Sequence, residues 1–226
     1  MQKILTVANY KTLKGRSFGY ETFGIHFAPA DISGYEVCQG RSKGCTDSCL
    51  NLAGMGVMVQ PQRIEKTKSF FEQQSLFMDN LMKEIETGIK SAAKKSLQAV
   101  FRLNLTSDIR WENIIHKGKN IFQHFAGVQF YDYTKDANRK DLPVNYDLTF
   151  SYSGVSSFVP YVNKAQSKGM RMAVVFRKES SIPTIFKGIR VVSGDNSDVR
   201  HLDDQGVIVG LYAKGKAKTD TTGFVV

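Results

Sequence analysis

QAVFRLNL, at residues 98–105, is a short apolar run that passes directly into polar residues, and the rest of the fold can be built outward from it. Short apolar runs bounded by turn residues are typical of strands buried in a sheet. Five further runs follow along the chain: AGVQFYDY (126–133), YDLTFSYS (146–153), MRMAVVFR (170–177), GIRVVSGD (188–195) and GVIVGLYA (206–213). Stretches suited to helices separate several of them. The alternation predicts an α/β protein, either a partial (β/α) barrel or a mainly parallel sheet with flanking helices.

Three stretches have the features of helices. From 62 to 96, apolar residues recur at helical spacing without proline, which predicts a long helix that could break near Gly88. A second helix is predicted over 109–124 with Asp108 as its N-cap, and a third over 155–168.

A first strand is predicted within YETFGIHFAPA (20–30), and a cysteine-bearing loop at about 31–56 follows it directly. No low-complexity tract or Pro/Gly-rich linker interrupts the sequence. With 226 residues and 42% hydrophobic content, the chain 1–226 is expected to form one domain with a full core.

The start of the sequence, MQKILTVANYKTLKGRSFGY, lacks the apolar region of a signal peptide. No stretch approaches the roughly 18 apolar residues that a membrane-spanning helix needs. We therefore expect a cytoplasmic protein without a membrane partner.

Cys38, Cys45 and Cys49 are the three cysteines of the chain, in a C-x6-C-x3-C spacing. In a reducing compartment, an odd number of closely spaced thiols favours metal binding or catalysis over disulfides. Thiolates are soft ligands that select iron-sulfur clusters, zinc or copper(I). A 4Fe-4S cluster held by the three cysteines is the leading prediction, and zinc, with His26 or Asp47 as a fourth ligand, is the alternative. Because Arg41 and Lys43 lie nearby in the sequence, we expect them to lower the thiol pKa values.

Polar residues follow the predicted strands at the ends where parallel α/β proteins bind ligands. Each can be explained by a turn or a cap, but their combined pattern predicts a site for a small-molecule or nucleotide-like ligand. The cofactor-binding candidates are Arg102, Asn104, Asp108, Asp132, Ser151, Arg177 and Asp195. The segment FYDYTKD (130–136) also offers Asp132 and Lys135 as an acid–base pair.

A three-cysteine loop after the first strand of an α/β chain resembles the radical S-adenosylmethionine superfamily, although the usual spacing there is C-x3-C-x2-C. The resemblance implies an enzyme in which S-adenosylmethionine binds the open iron of the cluster. Arg102, Asn104 and Asp108 would then hold the amino-acid head group of that cofactor.

The formal charge of +10 comes from 31 Lys and Arg against 21 Asp and Glu, and it favours polyanionic partners such as nucleic acid. The basic residues are dispersed, with short concentrations at 90–95, 117–119 and 213–218. A zinc-braced nucleic-acid-binding protein is therefore the main alternative to an iron-sulfur protein.

Ordered motifs over most of the chain resemble the bacteriophage family called gene product 88. They are FAPADISGYEVC, GCTDSCLNLAGMG, FRLNLTSDIRWE, FYDYTK, YDLTFSYSG and VVSGDNSDVRHLDDQGVIVGLYAKGKA. The resemblance implies a phage origin and thus the cytoplasm of an infected host cell. A factor that interacts with a host protein is a second alternative function, and the oligomeric state stays open.

Overall fold

The apolar runs form one sheet in a computed structural model that describes residues 3–7, 13–49 and 58–226. Its eight strands are β1 (Tyr20–Gly24), β2 (Gln98–Arg102), β3 (Gln129–Thr134), β4 (Tyr146–Ser151), β5 (Met172–Phe176), β6 (Ile185–Phe186), β7 (Ile189–Ser193) and β8 (Ile208–Tyr212). Their order across the sheet is β1-β2-β3-β4-β5-β8-β7-β6. The predicted first strand within 20–30 and all six apolar runs from 98 to 213 contain strands. The two-residue β6 is the one strand among the described residues that the sequence pattern did not predict.

Every pairing in the sheet is parallel except that between β6 and β7. In-register pairs such as Phe23↔Phe101 and Phe176↔Tyr212 align neighbouring strand ends. Within the described residues β1 and β6 are the edges, so the sheet is open. The mainly parallel sheet with flanking helices, in a single α/β domain, is thus confirmed.

The helices in the described part of the chain are α1 (Ala30–Ser33), α2 (Lys43–Asp47), α3 (Gln60–Glu72), α4 (Gln74–Ala93), α5 (Ile121–His124) and α6 (Val159–Ser167). The long predicted helix breaks at Gln73, which has φ −135° and ψ 46°, and not near Gly88. Gly88 instead lies inside α4, where a Cβ would stand 3.2 Å from the Phe23 ring and 3.4 Å from the Phe101 ring. It is a packing glycine that lets the helix approach the sheet.

The helix predicted over 109–124 is wrong, because this segment contains a 3-10 turn at Trp111–Asn113 and the short α5. The side chain of Asn104 explains the difference. Its Oδ1 accepts hydrogen bonds from the Ile109 backbone N–H (2.9 Å) and the Trp111 indole (3.2 Å), while its Nδ2 donates to the Ile109 carbonyl (2.9 Å). The Ile109 carbonyl is a backbone group that the predicted helix would use, and the Asn104 amide binds it instead.

The two faces of the sheet differ in chemistry. On the face that α4 covers, which we call the helix face, rings of neighbouring strands pack in a row, with centroids 5.3 Å apart for Phe23–Phe101 and 5.5 Å for Phe101–Phe130. The strand residues between these rings, such as Arg102 and Tyr131, lie on the opposite face. Residues 194–205 cover that face, and their 3-10 turn packs on β3 and β4. The apolar core therefore lies mainly on the helix face.

Replacing Gly24 of β1 by Ala should lower the free energy of unfolding by about 1–3 kcal/mol. An added Cβ would stand 2.7 Å from the Arg102 carbonyl oxygen, and backbone on the paired strand cannot yield cheaply. Chemical denaturation measures the change. Gly127→Ala is the matched control, because nothing lies within 4 Å of its Cβ position. Equal stability of the two variants would contradict the close approach of β1 and β2.

Candidate functional site

The cysteine loop lies over the carboxyl ends of β2 and β3. The Asp108 N–H donates to the Val37 carbonyl at 2.7 Å, and the Cys38 thiol lies 3.9 Å from the Thr106 carbonyl oxygen. At Gly40 an added Cβ would meet the Cβ of Lys135 at 3.0 Å. The loop after the first strand is therefore held at the ligand-binding edge typical of parallel sheets.

Helix α2 carries Cys45 and is fixed at both sides. The Ser42 hydroxyl accepts the Cys45 N–H at 3.2 Å and caps the helix. Gly44 packs so closely on the segment 220–224 that a Cβ would lie 2.6 Å from Asp220 Oδ1 and 2.7 Å from Phe224 Cβ. A glycine is required here because the helix and this segment are in direct contact.

None of the three cysteines is in a disulfide bond, and all three are half-buried. Burial raises the pKa of Cys38 well above the usual range of a thiol, and the neighbouring Asp108, Cys45 and Cys49 raise it further. Cys45 and Cys49 are thus near enough to Cys38 to affect its ionisation. Within the described residues, however, no three His, Cys, Asp or Glu side chains are arranged to hold one metal ion.

The residues that were expected to assist the thiols have other partners. Lys43 pairs with Asp47 at 2.6 Å, and Arg41 lies 3.7 Å from Asp31 and 3.4 Å from Glu36. The prediction that these cations lower the thiol pKa is wrong for Cys38, and the carboxylate of Asp47, a candidate fourth ligand, is engaged by Lys43.

His26, the other candidate fourth ligand, follows β1 and is half-buried. Burial, and then the charges of Arg63, Lys66 and Arg102, lower its pKa to about 3, so the imidazole is neutral. Its Nδ1 is buried and makes no hydrogen bond in the part of the chain that the structure describes.

Lys135 is a buried cation at this edge of the sheet, directly after β3. Its side chain is buried, and Nζ donates to the Ser151 carbonyl at 3.1 Å and the Ser151 hydroxyl at 3.2 Å. The rings of Phe158 and Phe224 lie 5.5 Å and 5.2 Å from the ammonium group. Burial lowers the pKa of Lys135, and the neighbouring Cys45 opposes that shift.

Asp132 does not pair with Lys135, contrary to the acid–base prediction. It is fully buried, accepting the Asn104 N–H at 2.9 Å and the Tyr146 hydroxyl at 3.2 Å. Burial raises the pKa of Asp132 to about 7, although Arg102 acts in the opposite direction. Alternation along β3 explains the separation, since Asp132 and Lys135 belong to opposite faces.

Asp108 does not cap a helix. Its carboxylate accepts the Lys135 N–H at 2.8 Å and the Arg139 guanidinium at 2.7 Å, and Arg139 also reaches Glu112 at 3.2 Å. The role of Arg139 had no signal in the sequence, because it lies in an irregular segment between two strands. Asn104, Asp108 and Asp132 therefore join the loops after β2 and β3 through internal bonds.

Arg102 lies on the opposite face, with Nη1 2.5 Å from Asp198 Oδ2. Its guanidinium stands 5.5 Å from the Tyr131 ring centroid and 4.9 Å from that of Tyr133. Both tyrosine rings thus already contact Arg102. A second buried arginine, Arg171, bonds Asp147 and Thr149 beside this group, and Arg171 was not singled out from the sequence.

The remaining candidates lie toward β5, β7 and β8. Asp195, after β7, accepts Lys214 at 2.5 Å, whereas Arg177, directly after β5, is exposed and borders a cleft. The seven predicted cofactor-binding residues are thus distributed along the edge and over both faces, and their binding roles stay predictions. No helix in the described ranges is long and apolar enough to cross a membrane.

Asp132→Asn should change how stability depends on pH. An unfolded Asp titrates near pH 3.9, about three units below Asp132 in the folded state, so the folded protein holds an extra proton between these values and loses stability as pH rises through them. Asn does not titrate and keeps an acceptor for Asn104. From about pH 4.5 to about pH 8 the variant should gain on the order of 1–3 kcal/mol relative to wild type. Urea denaturation at both pH values measures this, and parallel pH curves would contradict it.

The comparisons with known proteins bear on family alone. The chain matches no curated protein and no solved structure, and the resemblance to radical S-adenosylmethionine proteins gains no support from them. The model of the family described as Gene product 88 matches residues 3–226, which include the cysteine loop and every strand of the sheet. The chain therefore belongs to the Gene product 88 family, the phage gene-product family that its ordered motifs resemble.

Proposed function

We propose that this protein binds a soft metal centre through Cys38, Cys45 and Cys49. The observation that carries the proposal is that three cysteines, none of them in a disulfide, lie on one loop at the carboxyl edge of a parallel sheet, with Cys45 and Cys49 near enough to Cys38 to raise its pKa. Binding would require the thiols to close around the metal. The donor set fits such a centre, because thiolates prefer iron-sulfur clusters, zinc or copper(I) over hard cations.

An iron-sulfur cluster is favoured over zinc by the number of ligands. Structural zinc needs four ligands, but Asp47 is bonded to Lys43 and His26 is surrounded by cations. A 4Fe-4S cluster held by three thiolates would supply an iron with an open position for an exogenous ligand. Arg102, Asn104 and Asp108, the predicted head-group ligands, already bond other residues of the protein, so the predicted use of S-adenosylmethionine gains nothing from them.

Lys135 would provide the positive charge beside this centre. A centre with three thiolates carries negative charge, and the buried ammonium of Lys135 already lies near Cys38 and Cys45. Ser151, Phe158 and Phe224 hold the side chain in place. Such outer groups orient and stabilise metal ligands in many sites.

Cys45→Ala should abolish metal binding, and Ser48→Ala in the same loop should leave it intact. Protein purified without oxygen should be brown and contain iron and sulfide in the wild type and in Ser48→Ala. Metal analysis with visible absorption spectroscopy measures both. Colourless protein that contains zinc would select zinc over the cluster, and folded wild-type protein free of metal after anaerobic reconstitution would overturn the proposal.

Lys135→Met should weaken metal retention while preserving the fold. Methionine fills the same volume without a buried charge, so unfolding of the metal-free protein should change little. The rate of metal loss to a chelator should rise by about 10- to 100-fold. Lys66→Met is the matched control, since Lys66 is also buried but lies on α3 and bonds the Ile4 carbonyl. Equal retention by both variants would remove Lys135 from the site.

A further inference from the structure

A cleft of about 370 Å³ opens at the carboxyl ends of β5 and β8, and none of the described cysteine-loop residues lines it. The two strands pair in parallel up to Phe176 and Tyr212, and the Ala213 N–H donates to the Phe176 carbonyl at 2.9 Å. Arg177 and Ala213 are thus the first residues beyond the sheet. The cleft volume lies at the lower end of the range for small-molecule sites, roughly 300–1,000 Å³.

Two chain segments border the cleft, one after β5 and one after β8. After β5 the chain leads toward β6 at the far edge of the sheet. After β8 it turns back, and Val226 bonds the other side of β5, with its N–H donating to Val175 and its carbonyl accepting from Arg177. Arg177 begins the first of these segments and Ala213 begins the second, and both residues line the cleft.

The side chains that line the cleft carry a net positive charge. Arg177, Lys178 and Lys218 line it against a single acid, Glu179. Arg177 Nη1 donates to the Lys218 carbonyl at 3.2 Å, and in the described part of the chain it contacts no carboxylate. Arg102 and Arg171, by contrast, each pair with an aspartate.

The neighbouring residues narrow the choice of ligand. Lys214 is paired with Asp195 and lies over the Tyr212 ring at 4.1 Å, so this ammonium is neutralised and covers one face of that ring. Tyr212 and the buried Ala213 contribute apolar wall. A planar guanidinium and two ammonium groups lining one cleft match the charge of a phosphate group, and a guanidinium can bind two phosphate oxygens at once.

We propose that this cleft binds the phosphate group of a small phosphorylated molecule of about the size of a mononucleotide, with Arg177, Lys178 and Lys218 as its ligands. The site is separate from the cysteine loop and does not depend on metal binding.

Isothermal titration calorimetry of the full chain with adenosine monophosphate, inorganic pyrophosphate and adenosine tests the proposal. The two phosphorylated probes should bind, adenosine should not, and binding should weaken with salt. Arg177→Gln combined with Lys218→Gln should reduce affinity by about tenfold or more. The control is Lys83→Gln combined with Lys90→Gln, which removes two exposed charges from α4. If the first double variant fails to fold, Lys178→Gln takes its place with the same expected direction.

Three results would overturn the proposal. The phosphorylated probes could fail to bind at millimolar concentration, or both double variants could lose affinity equally, which would indicate a general charge effect. A single-stranded oligonucleotide could instead bind through Arg177 and Lys218 while adenosine monophosphate does not, which would replace the small ligand by nucleic acid.

Discussion

Parallel strand pairing is the constraint on which the rest of this structure depends. Because β1 to β5, β7 and β8 run in one direction, their carboxyl ends meet at a single edge. Each connection between two of these strands that follow one another in the chain must therefore return to the opposite edge. The loop after β1, Lys135 after β3 and Arg177 after β5 therefore share that edge, although they are far apart in the sequence. Their proximity follows from topology before any side-chain contact is considered.

The opposite face of the sheet is held by directed polar bonds. Arg102 pairs with Asp198, while Arg171 bonds Asp147 and Thr149. Burying such pairs gains little stability over apolar packing, because desolvation offsets most of their attraction. Their geometry is demanding, however, and it fixes where residues 194–205 cover the sheet. The helix face gives the domain its apolar core, and the opposite face determines how the covering segment docks.

The sequence predicted the parts of the fold that depend on local patterns. Apolar runs located the strands, and helical spacing located α3 and α4, because burial on one face leaves a periodic signal. The segment 109–124 failed, since Asn104 draws its backbone into a loop through side-chain bonds that no periodicity shows. The sequence predicted the part of the candidate site that depends on local patterns and not the part that depends on side-chain contacts. The cysteine loop follows from strand order, but the bonding of Asp132 and Arg139 depends on which face each side chain takes in three dimensions.

The segment 218–226 connects the two proposed sites physically. Lys218 borders the phosphate cleft, Phe224 covers Lys135, and Thr222 and Phe224 pack on Gly44 of the cysteine-bearing helix. Asp220 stiffens the segment by accepting the Val225 N–H at 3.0 Å and the Thr222 hydroxyl at 2.7 Å. Contact by itself transmits nothing: coupling requires a segment with two arrangements that each ligand favours differently. A segment bonded in this way keeps one arrangement and holds both sites in a fixed position relative to each other. We therefore expect ligand binding at one site to leave binding at the other unchanged.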